Sequence, residues 1–569
     1  MNSNSIFRIR IVLVFVCFFS FIIIGKLYFV QIVKGNMYSE KADKQYIKPS
    51  TVLFSRGSIF FQSKDGTKNA VATLKDGYTL VMNPKILKDP NNAYQALSPY
   101  LNLNKDSFIE KASKVNDQYE ELQKRLDQST GQSINALRIL GINAVKDSWR
   151  IYPADSLASH TIGLIGYDDK NKIAGRYGLE RYYENILTRQ TGIASMNFFA
   201  ELFSGIKNSV FKNEEKTGDI VTSIEPTVEE YLEKTLEEVQ DKWSSDSIGG
   251  IIMDPNTGLI YAMSARPTFN PNDLKDIKDP RVFSNPLVEE AYEMGSIIKP
   301  LTMMVGIDSG AIKTNSTYID KGFLELNGKK IANFDGKARG EIPMQEILSQ
   351  SLNIGAATIA LKIGGDTFSN YFKKFGFGQK TGIDQPNEQK GLTKNLDTKR
   401  DIEIATASYG QGISMTPMQT IRALSILANG GNLIIPHIVN KIEYTDGTSQ
   451  MIENIKTPIV SKETVDEVTE MLIQVVDKAL KKGQVKMENY SIAAKTGTAQ
   501  IANPETKGYY DDRFLHSFFG YFPAHNPRFI IFLYHVNPKN VNFASETLTD
   551  PFIKLTKFLI NYYEIPPDR

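Results

Sequence analysis

The chain has 569 residues, of which 66 are basic, 64 acidic and 41% hydrophobic. This balance excludes the strongly basic surface typical of nucleic-acid-binding proteins, so we expect no nucleic acid as a partner. Cys17 is the only cysteine and the five histidines form no metal-binding motif, so we expect no intrachain disulfide, metal or other cofactor. The length predicts about three or four domains.

The N-terminal segment has the pattern of a membrane anchor. Residues 11–33 are apolar apart from Ser20, Gly25, Lys26 and Gln31. Such a run is long enough to cross a bilayer, and the arginines before it predict that residues 1–10 form a short cytoplasmic tail. No small-residue cleavage site follows the apolar run, which favours a retained anchor over a removed signal peptide. The rest of the chain is then expected outside the cytoplasmic membrane.

Residues 35–215 predict a mixed α/β domain. Residues 52–61 and 70–81 have the composition of strands, and the charged, lysine-rich residues 89–128 predict a helical region. This part contains no metal-ligand cluster and no phosphate-binding loop. We interpret it as a non-catalytic pedestal that lifts the following domain away from the membrane.

Residues 216–569 predict a second, α+β domain. Pro226 opens an amphipathic helix, and the turn Asp254-Pro-Asn-Thr-Gly258 joins two apolar strands. A largely helical middle follows, and residues 490–494, 516–522 and 528–534 then predict three late strands. Early and late strands around a helical middle predict one antiparallel sheet with helices on its faces.

The helical middle begins with a serine and a lysine three residues apart. Ser296 and Lys299 stand before an apolar run that stops at Gly310, which predicts a helix with both side chains on one face. A serine hydroxyl is a poor nucleophile unless a base removes its proton, and a buried lysine with a lowered pKa is such a base. The pattern alone is weak, because Ser204/Lys207 and Ser209/Lys212 repeat it.

Two further motifs add specificity through their context. Ser351-Leu-Asn353 lies between two predicted helices, where a short loop can point into a cleft, although helix capping by Ser351 explains it as well. Lys495-Thr-Gly497-Thr498 runs straight out of an apolar strand, whose edge can accept a peptide as an extra strand. Thr496 and Thr498 are candidates to bind a substrate carboxylate, and Gly497 leaves the backbone accessible. Each motif has two other matches: Ser133 and Ser195 for the first, and Lys216 and Lys380 for the second.

The three motifs in this order resemble those of the penicillin-binding protein and serine β-lactamase superfamily. The resemblance to class B penicillin-binding proteins, which are membrane-anchored peptidoglycan D,D-transpeptidases, extends from residue 8 to about residue 545. Outside the three motifs it rests on the anchor and on short segments along both predicted domains, namely Arg56-Gly57, Gly178-Leu-Glu180, Asp254-Pro-Asn-Thr-Gly258, Phe375-Gly-Phe-Gly378, Thr381-Gly-Ile-Asp384, Gly410-Gln-Gly-Ile413 and Ser517-Phe-Phe-Gly520.

The resemblance implies a division of roles. Ser296 attacks the penultimate D-Ala carbonyl of a stem peptide, Lys299 is the base, Ser351 relays a proton, and Asn353 and Lys495 complete the catalytic set. The backbone N–H groups of Ser296 and Thr498 form the oxyanion hole. The implied partners are peptidoglycan stem peptides, a lipid-linked precursor, a SEDS-type glycosyltransferase with other division or elongation proteins, and β-lactams as covalent inhibitors. The short final segment favours the septal type.

The sequence also departs from the family pattern and leaves other functions open. Met294 replaces the usual proline before the Gly-Ser pair, and Ile297-Ile298 replace the usual Thr-Phe after it; we expect these side chains to line the cleft. The alternatives are a β-lactam sensor or β-lactamase, and a catalytically silent scaffold of cell-wall synthesis. We expect His516, next to the sheet, to be structural.

Overall fold

The computed structural model describes residues 54–170, 172–189, 216–398, 400–506 and 508–569, together with eight positions between 19 and 34. The predicted cytoplasmic tail and most of the predicted membrane segment 11–33 lie outside the described residues. In the part of the chain that the structure describes, no helix is both long and apolar enough to cross a bilayer.

One compact unit contains Asp76–Ser148. Its helices are Pro90–Leu97, Lys105–Ala112 and Gln128–Ala136, and its strands are Glu120–Leu126 with parts of Lys68–Met82 and Ile142–Ile151.

The single helical region expected over residues 89–128 is therefore wrong. The first helix ends before Pro99, because a proline has no backbone N–H with which to continue the helical hydrogen bonds. Asn104 starts the second helix by accepting a hydrogen bond from Ser107 N–H. The charged segment Glu120–Leu126 is not helical but pairs with the strand Lys68–Met82, and this long-range pairing outweighs its local preference for helix.

The second unit contains Ser55–Lys75 and Trp149–Arg569. The predicted strand 52–61 is shorter than expected, Ile59–Gln62, and pairs in parallel with Gly218–Thr222. Further short elements of this unit are Ser159–Ile162, Ile165–Tyr167, Ile173–Gly175, Gly178–Tyr182, Glu184–Leu187, Val439–Tyr444 and Ser449–Met451.

A buried ion network organises the pedestal part of this unit. Glu180 is fully buried and accepts hydrogen bonds from Arg56 Nε at 2.6 Å and Arg150 Nε at 2.7 Å. The two guanidinium groups neutralise the buried carboxylate, so each charge leaves water together with a partner. This pairing explains the charged residues of the Arg56-Gly57 and Gly178-Leu-Glu180 segments of the sequence.

A five-stranded antiparallel sheet forms the centre of the second unit, as predicted. Its strands, in spatial order, are Ala493–Asn503, Gly508–Phe522, Phe529–Val536, Ser247–Met253 and Ile260–Arg266. The first of these is therefore an edge strand of the sheet, and we call it the edge strand below.

Helices cover the sheet. Pro226–Trp243 and Thr549–Tyr562 share one apolar cluster with it, in which Val228, Leu232 and Phe552 are fully buried. The helical middle contributes the larger cluster. Its elements are Pro280–Phe283, Pro286–Glu289, Gly295–Ile298, Lys299–Asp308, Gln345–Ser349, Asn353–Ile363, Gly365–Lys374, Lys394–Leu396, Asp401–Ala407, Pro417–Leu424, Ser425–Ala428, Lys462–Gln474, Val475–Ala479 and Leu480–Gly483, and Ala544–Thr547 precedes the last helix.

Three small pairs of antiparallel strands complete the unit. The paired strands are Thr317–Asp320 with Gly340–Pro343, Phe323–Leu326 with Lys329–Ala332, and Asn432–Ile434 with Lys456–Pro458. Residues 317–343, which include the first two of these strand pairs, precede the Ser351 loop and are called the hairpin module below.

Candidate active site

Ser296 lies on a tight turn held against the sheet. The turn is the 3-10 helix Gly295–Ile298, and Lys299 begins the helix Lys299–Asp308 directly after it. Gly295 has a φ of +66°, and a Cβ there would lie 2.7 Å from the Thr498 carbonyl oxygen of the edge strand. Only glycine adopts this backbone without strain at such a close approach. The glycine thus brings the nucleophile next to the edge strand.

Lys299 is the centre of the site. Its Nζ lies 2.9 Å from Ser296 Oγ, 2.5 Å from the Ser351 carbonyl oxygen and 2.8 Å from Asn353 Oδ1. The lysine is 1% exposed. Burial, and to a lesser degree the neighbouring Lys495 ammonium, hold its pKa well below the ordinary value.

The partners of Lys299 fit a neutral amine. The Ser351 carbonyl and Asn353 Oδ1 can only accept hydrogen bonds. A neutral amine donates its two N–H groups to these two oxygens, and its lone pair then remains for the Ser296 hydroxyl, which donates to it. These contacts are compatible with the neutral amine, and burial together with the neighbouring Lys495 ammonium favours it, which is the protonation state that a general base needs.

Ser351 stands between the two lysines. Its Oγ lies 3.3 Å from Lys299 Nζ and 3.1 Å from Lys495 Nζ. The residue has a φ of +58°, a strained conformation for a serine, and the next helix begins at Asn353. Ser351 does not cap this helix, because Leu352 is its N-cap residue and no side chain caps it; the Ser351 hydroxyl lies between the two amines instead.

Lys495 is buried in the site as well. It is 2% exposed and donates to the Thr496 carbonyl at 2.9 Å, and burial lowers its pKa to about 7. Near neutral pH its charge is thus available for a carboxylate that enters the site.

The edge strand carries the three predicted substrate-binding residues. Thr496 and Thr498 are half-buried, and Thr498 Oγ1 accepts a hydrogen bond from Ala544 N–H at 3.1 Å. Gly497 is buried, and a Cβ there would lie 2.4 Å from Ser517 Oγ and 2.7 Å from the Met294 carbonyl oxygen. A side chain at position 497 would therefore collide with Ser517 and with the backbone next to the serine turn, so this position requires glycine.

Two sequence expectations about neighbouring side chains are resolved. Met294, Ile297 and Ile298 are fully buried in the core, so the expectation that they line the cleft is wrong. Their backbone, rather than their side chains, borders the nucleophile. His516 is also fully buried and contacts Thr547 Oγ1 through Nδ1 at 3.0 Å, in agreement with a structural role.

The other motif matches within the described residues do not join the site. The backbone N–H and hydroxyl of Thr381, in Lys380-Thr-Gly, donate to Glu388 Oε1 at 2.6 and 2.5 Å. Asn135, in the match at Ser133, bonds the backbone of Ala144. The matches at Ser195, Ser204 and Ser209 lie outside the described residues.

Sequence reasoning missed two supports of the site. Tyr509 donates to Glu293 Oε2 at 2.9 Å, three residues before the nucleophile, and burial raises the pKa of Glu293 to about 7. Asn333 Oδ1 accepts from Ile354 N–H at 3.1 Å at the start of the helix that carries Asn353. Glu293 could have been predicted as a site residue because it lies three residues before Ser296, whereas no local sequence feature marks Asn333 as one.

Comparison with known families agrees with this geometry. Residues 248–555, more than half of the chain, match the penicillin binding protein transpeptidase domain. The chain belongs to the penicillin-binding protein transpeptidase family. Residues 53–223 match the penicillin-binding protein dimerisation domain, and the combination of the two domains is that of class B members.

Relatives of known name cover nearly the whole chain. Stage V sporulation protein D of Bacillus subtilis is 28% identical over 96% of this chain and 84% of its own length. Peptidoglycan D,D-transpeptidase FtsI of Escherichia coli is 23% identical over 96% of this chain and 90% of its own.

Solved structures share the fold. Penicillin-binding protein 2X of Streptococcus thermophilus superimposes with a TM-score of 0.73 at 20% identity and covers 89% of this chain and 80% of its own. Penicillin-binding protein 3 of Mycobacterium tuberculosis, complexed with aztreonam, has a TM-score of 0.68 at 21% identity, covering 91% of this chain and 98% of its own.

Proposed function

We propose that this protein is a peptidoglycan D,D-transpeptidase that cross-links stem peptides through an acyl-enzyme on Ser296. The observation that carries the proposal is the 2.9 Å approach of Lys299 Nζ to Ser296 Oγ in a buried, neutral-amine setting. The transpeptidase family match and the names of the relatives support the reaction class.

Acylation uses the site as follows. Ser296 Oγ attacks the penultimate D-Ala carbonyl carbon while its proton passes to Lys299 Nζ. The backbone N–H groups of Ser296 and Thr498 receive the developing oxyanion, a contribution of about 3–4 kcal/mol per donor in serine hydrolases. The peptide C–N bond then breaks, and Ser351 hands a proton to the leaving amine of terminal D-Ala, replenished from Lys299.

Deacylation reverses these roles. An amine of a neighbouring stem peptide enters the position that D-Ala vacated and loses a proton to the same Ser351–Lys299 pair. Its nitrogen attacks the ester carbonyl, and Ser296 recovers its proton.

The Lys495 ammonium and the hydroxyls of Thr496 and Thr498 bind the donor's terminal carboxylate before it leaves.

Localisation and partners belong to the same proposal. Residues 11–33 anchor the protein in the cytoplasmic membrane, with residues 35–215 as pedestal and 216–569 as the extracytoplasmic catalytic domain. Donor stem peptides come from strands made from a lipid-linked precursor, which favours pairing with a SEDS-type glycosyltransferase. Co-purification from detergent with and without residues 1–35 tests this pairing: equal recovery of the partner would argue against a contact through the membrane helix.

A fluorescent penicillin tests the proposed nucleophile. The full-length protein in detergent is incubated with the label beside Ser296→Ala, and the labelled peptide is mapped by mass spectrometry. We expect stable labelling at Ser296 that the variant lacks. Rapid loss of the label would instead indicate a β-lactamase, and a folded wild-type protein without label would support the scaffold or a cleft closed to penicillins.

A further inference from the structure

Two exposed aromatic rings meet near the active site. The side chain of Phe334 is 60% exposed and that of Phe543 is 45% exposed. Their ring centroids lie 5.9 Å apart, and the rings cross at 78°, an edge-to-face contact. Such pairs attract each other beyond simple apolar burial. Because both rings are exposed, their contact is not part of the hydrophobic core, which suggests a functional rather than a packing role.

The two rings come from opposite sides of the catalytic residues. Two residues before Phe334, the Ala332 carbonyl accepts a hydrogen bond from Asn353 Nδ2 at 3.1 Å. On the other side, Ala544, next to Phe543, donates its N–H to Thr498 Oγ1 at 3.1 Å. One ring is thus attached to the Ser351–Asn353 loop and the other to the edge strand. The two segments meet at the catalytic residues, where Lys495 Nζ lies 3.1 Å from Ser351 Oγ, and we call the space between them the catalytic groove.

Hydrogen bonds of the buried residue Asn333 hold the segment that carries Phe334 in place. Asn333, 4% exposed, donates through Nδ2 to both carboxylate oxygens of Asp320 at 3.1 and 2.9 Å. Its Oδ1 accepts from Ile354 N–H at 3.1 Å. One end of the Asn333 amide thus holds the hairpin module together through Asp320, and the other end ties the module to the helix of Asn353. The position of Phe334 therefore follows that of the catalytic asparagine.

We propose that Phe334 and Phe543 form an aromatic clasp across the catalytic groove that selects acyl donors by the bulk of their side chains. A slim donor reaches Ser296 with the rings in contact, whereas a bulky donor must first separate them. The clasp deepens the transpeptidase function proposed above and rests on it for the identity of the donor, but the steric restriction itself does not require acyl transfer.

Acylation by two penicillins of different size tests the selection. The full-length protein and the variants Phe334→Ala and Phe543→Ala are acylated by 6-aminopenicillanic acid and by a penicillin that carries a bulky BODIPY fluorophore. We expect each variant to raise the bulky-to-slim ratio of acylation rate constants by about 2- to 12-fold, the range that one aromatic pair supports. The double variant should gain no more than the better single variant, because both remove the same contact.

A matched control comes from the same module. Phe323 is 42% exposed, and its ring lies 4.2 Å from Lys330 Nζ. Phe323→Ala should leave the ratio unchanged. An unchanged ratio in the Phe334 and Phe543 variants, or an equal acceleration of both penicillins, would overturn the clasp.

A thiol at the nucleophile position separates the clasp from the proposed function. In the full-length Cys17→Ser, Ser296→Cys protein, alkylation by iodoacetamide is compared with alkylation by iodoacetamidofluorescein, which reacts by the same chemistry. We expect Phe334→Ala to accelerate the bulky reagent selectively, by the same factor as above. Selective acceleration in the thiol protein, together with a wild type that forms no peptidoglycan cross-links, would reject the transpeptidase and keep the clasp. No selective acceleration would reject the clasp.

Discussion

Replacing Asn353 by aspartate, which has nearly the same size and shape but lacks the Nδ2 donor to the Ala332 carbonyl, is expected to disable the base. Asn353 Oδ1 lies 2.8 Å from Lys299 Nζ, so the substitution places a carboxylate next to the lysine. At an effective dielectric constant of about 20, this contact favours the ammonium by about 6 kcal/mol, which lowers the neutral fraction by up to about 10⁴-fold. Because Asn353 is half-buried and solvent weakens the contact, we expect acylation at pH 7 to fall by about 10²- to 10⁴-fold.

The direction of the pH dependence identifies the cause. In the wild type, acylation rises with pH as Lys299, whose pKa is lowered by burial, loses its proton. In Asn353→Asp the pKa of Lys299 is raised, so the same rise should appear at higher pH and restore much of the rate. Stopped-flow acylation by a fluorescent penicillin measures both profiles, and Asn353→Ala is the uncharged control. Near wild-type rates at pH 7, or a loss that alkaline pH does not repair, would refute a neutral Lys299 base.

Three further predictions concern Lys495 and Gly497 in the site and Glu180 in the pedestal. Lys495→Met removes an ammonium that lowers the pKa of Lys299, so the acidic limb of the acylation profile should move to higher pH; any decline above about pH 7, where Lys495 deprotonates, should disappear. Gly497→Ala places a Cβ 2.4 Å from Ser517 Oγ, which should cost about 1–3 kcal/mol of stability in thermal unfolding and slow acylation. Glu180→Gln takes the carboxylate partner from buried Arg150 and leaves Arg56 with Glu184 alone, so it should lower thermal stability by about 3–5 kcal/mol while the protein that stays folded still acylates; an unchanged melting temperature would show that the network is dispensable.

Much of this architecture could be predicted from the sequence because its signals are local. The helix after Ser296 ends next to Gly310 as expected, and the turn Asp254–Gly258 joins adjacent antiparallel strands of the sheet. The motifs converge because each stands at the end of a regular element, at a helix start or on an edge strand. The structure brings Ser296, Lys299, Ser351, Asn353 and Lys495 into one hydrogen-bonded network.

The remainder depends on contacts between residues far apart in the chain. The segment Glu120–Leu126 forms a strand because a distant strand pairs with it. Position 497 must be glycine because Ser517 and the Met294 carbonyl lie against it, and no local sequence pattern connects these residues to it. The contact between Phe334 and Phe543 spans more than two hundred residues of sequence. Composition and periodicity carry no information about such pairs.

Cross-linking of peptidoglycan tests the central claim most directly. The full-length protein and Ser296→Ala are supplied with uncross-linked glycan strands that bear pentapeptide stems, and the digested products are separated by liquid chromatography and mass spectrometry. We predict cross-linked dimers, with release of D-Ala, for the wild type and none for the variant. Dimers formed by Ser296→Ala, or D-Ala release by the wild type without any cross-link, would contradict a transpeptidase that works through Ser296.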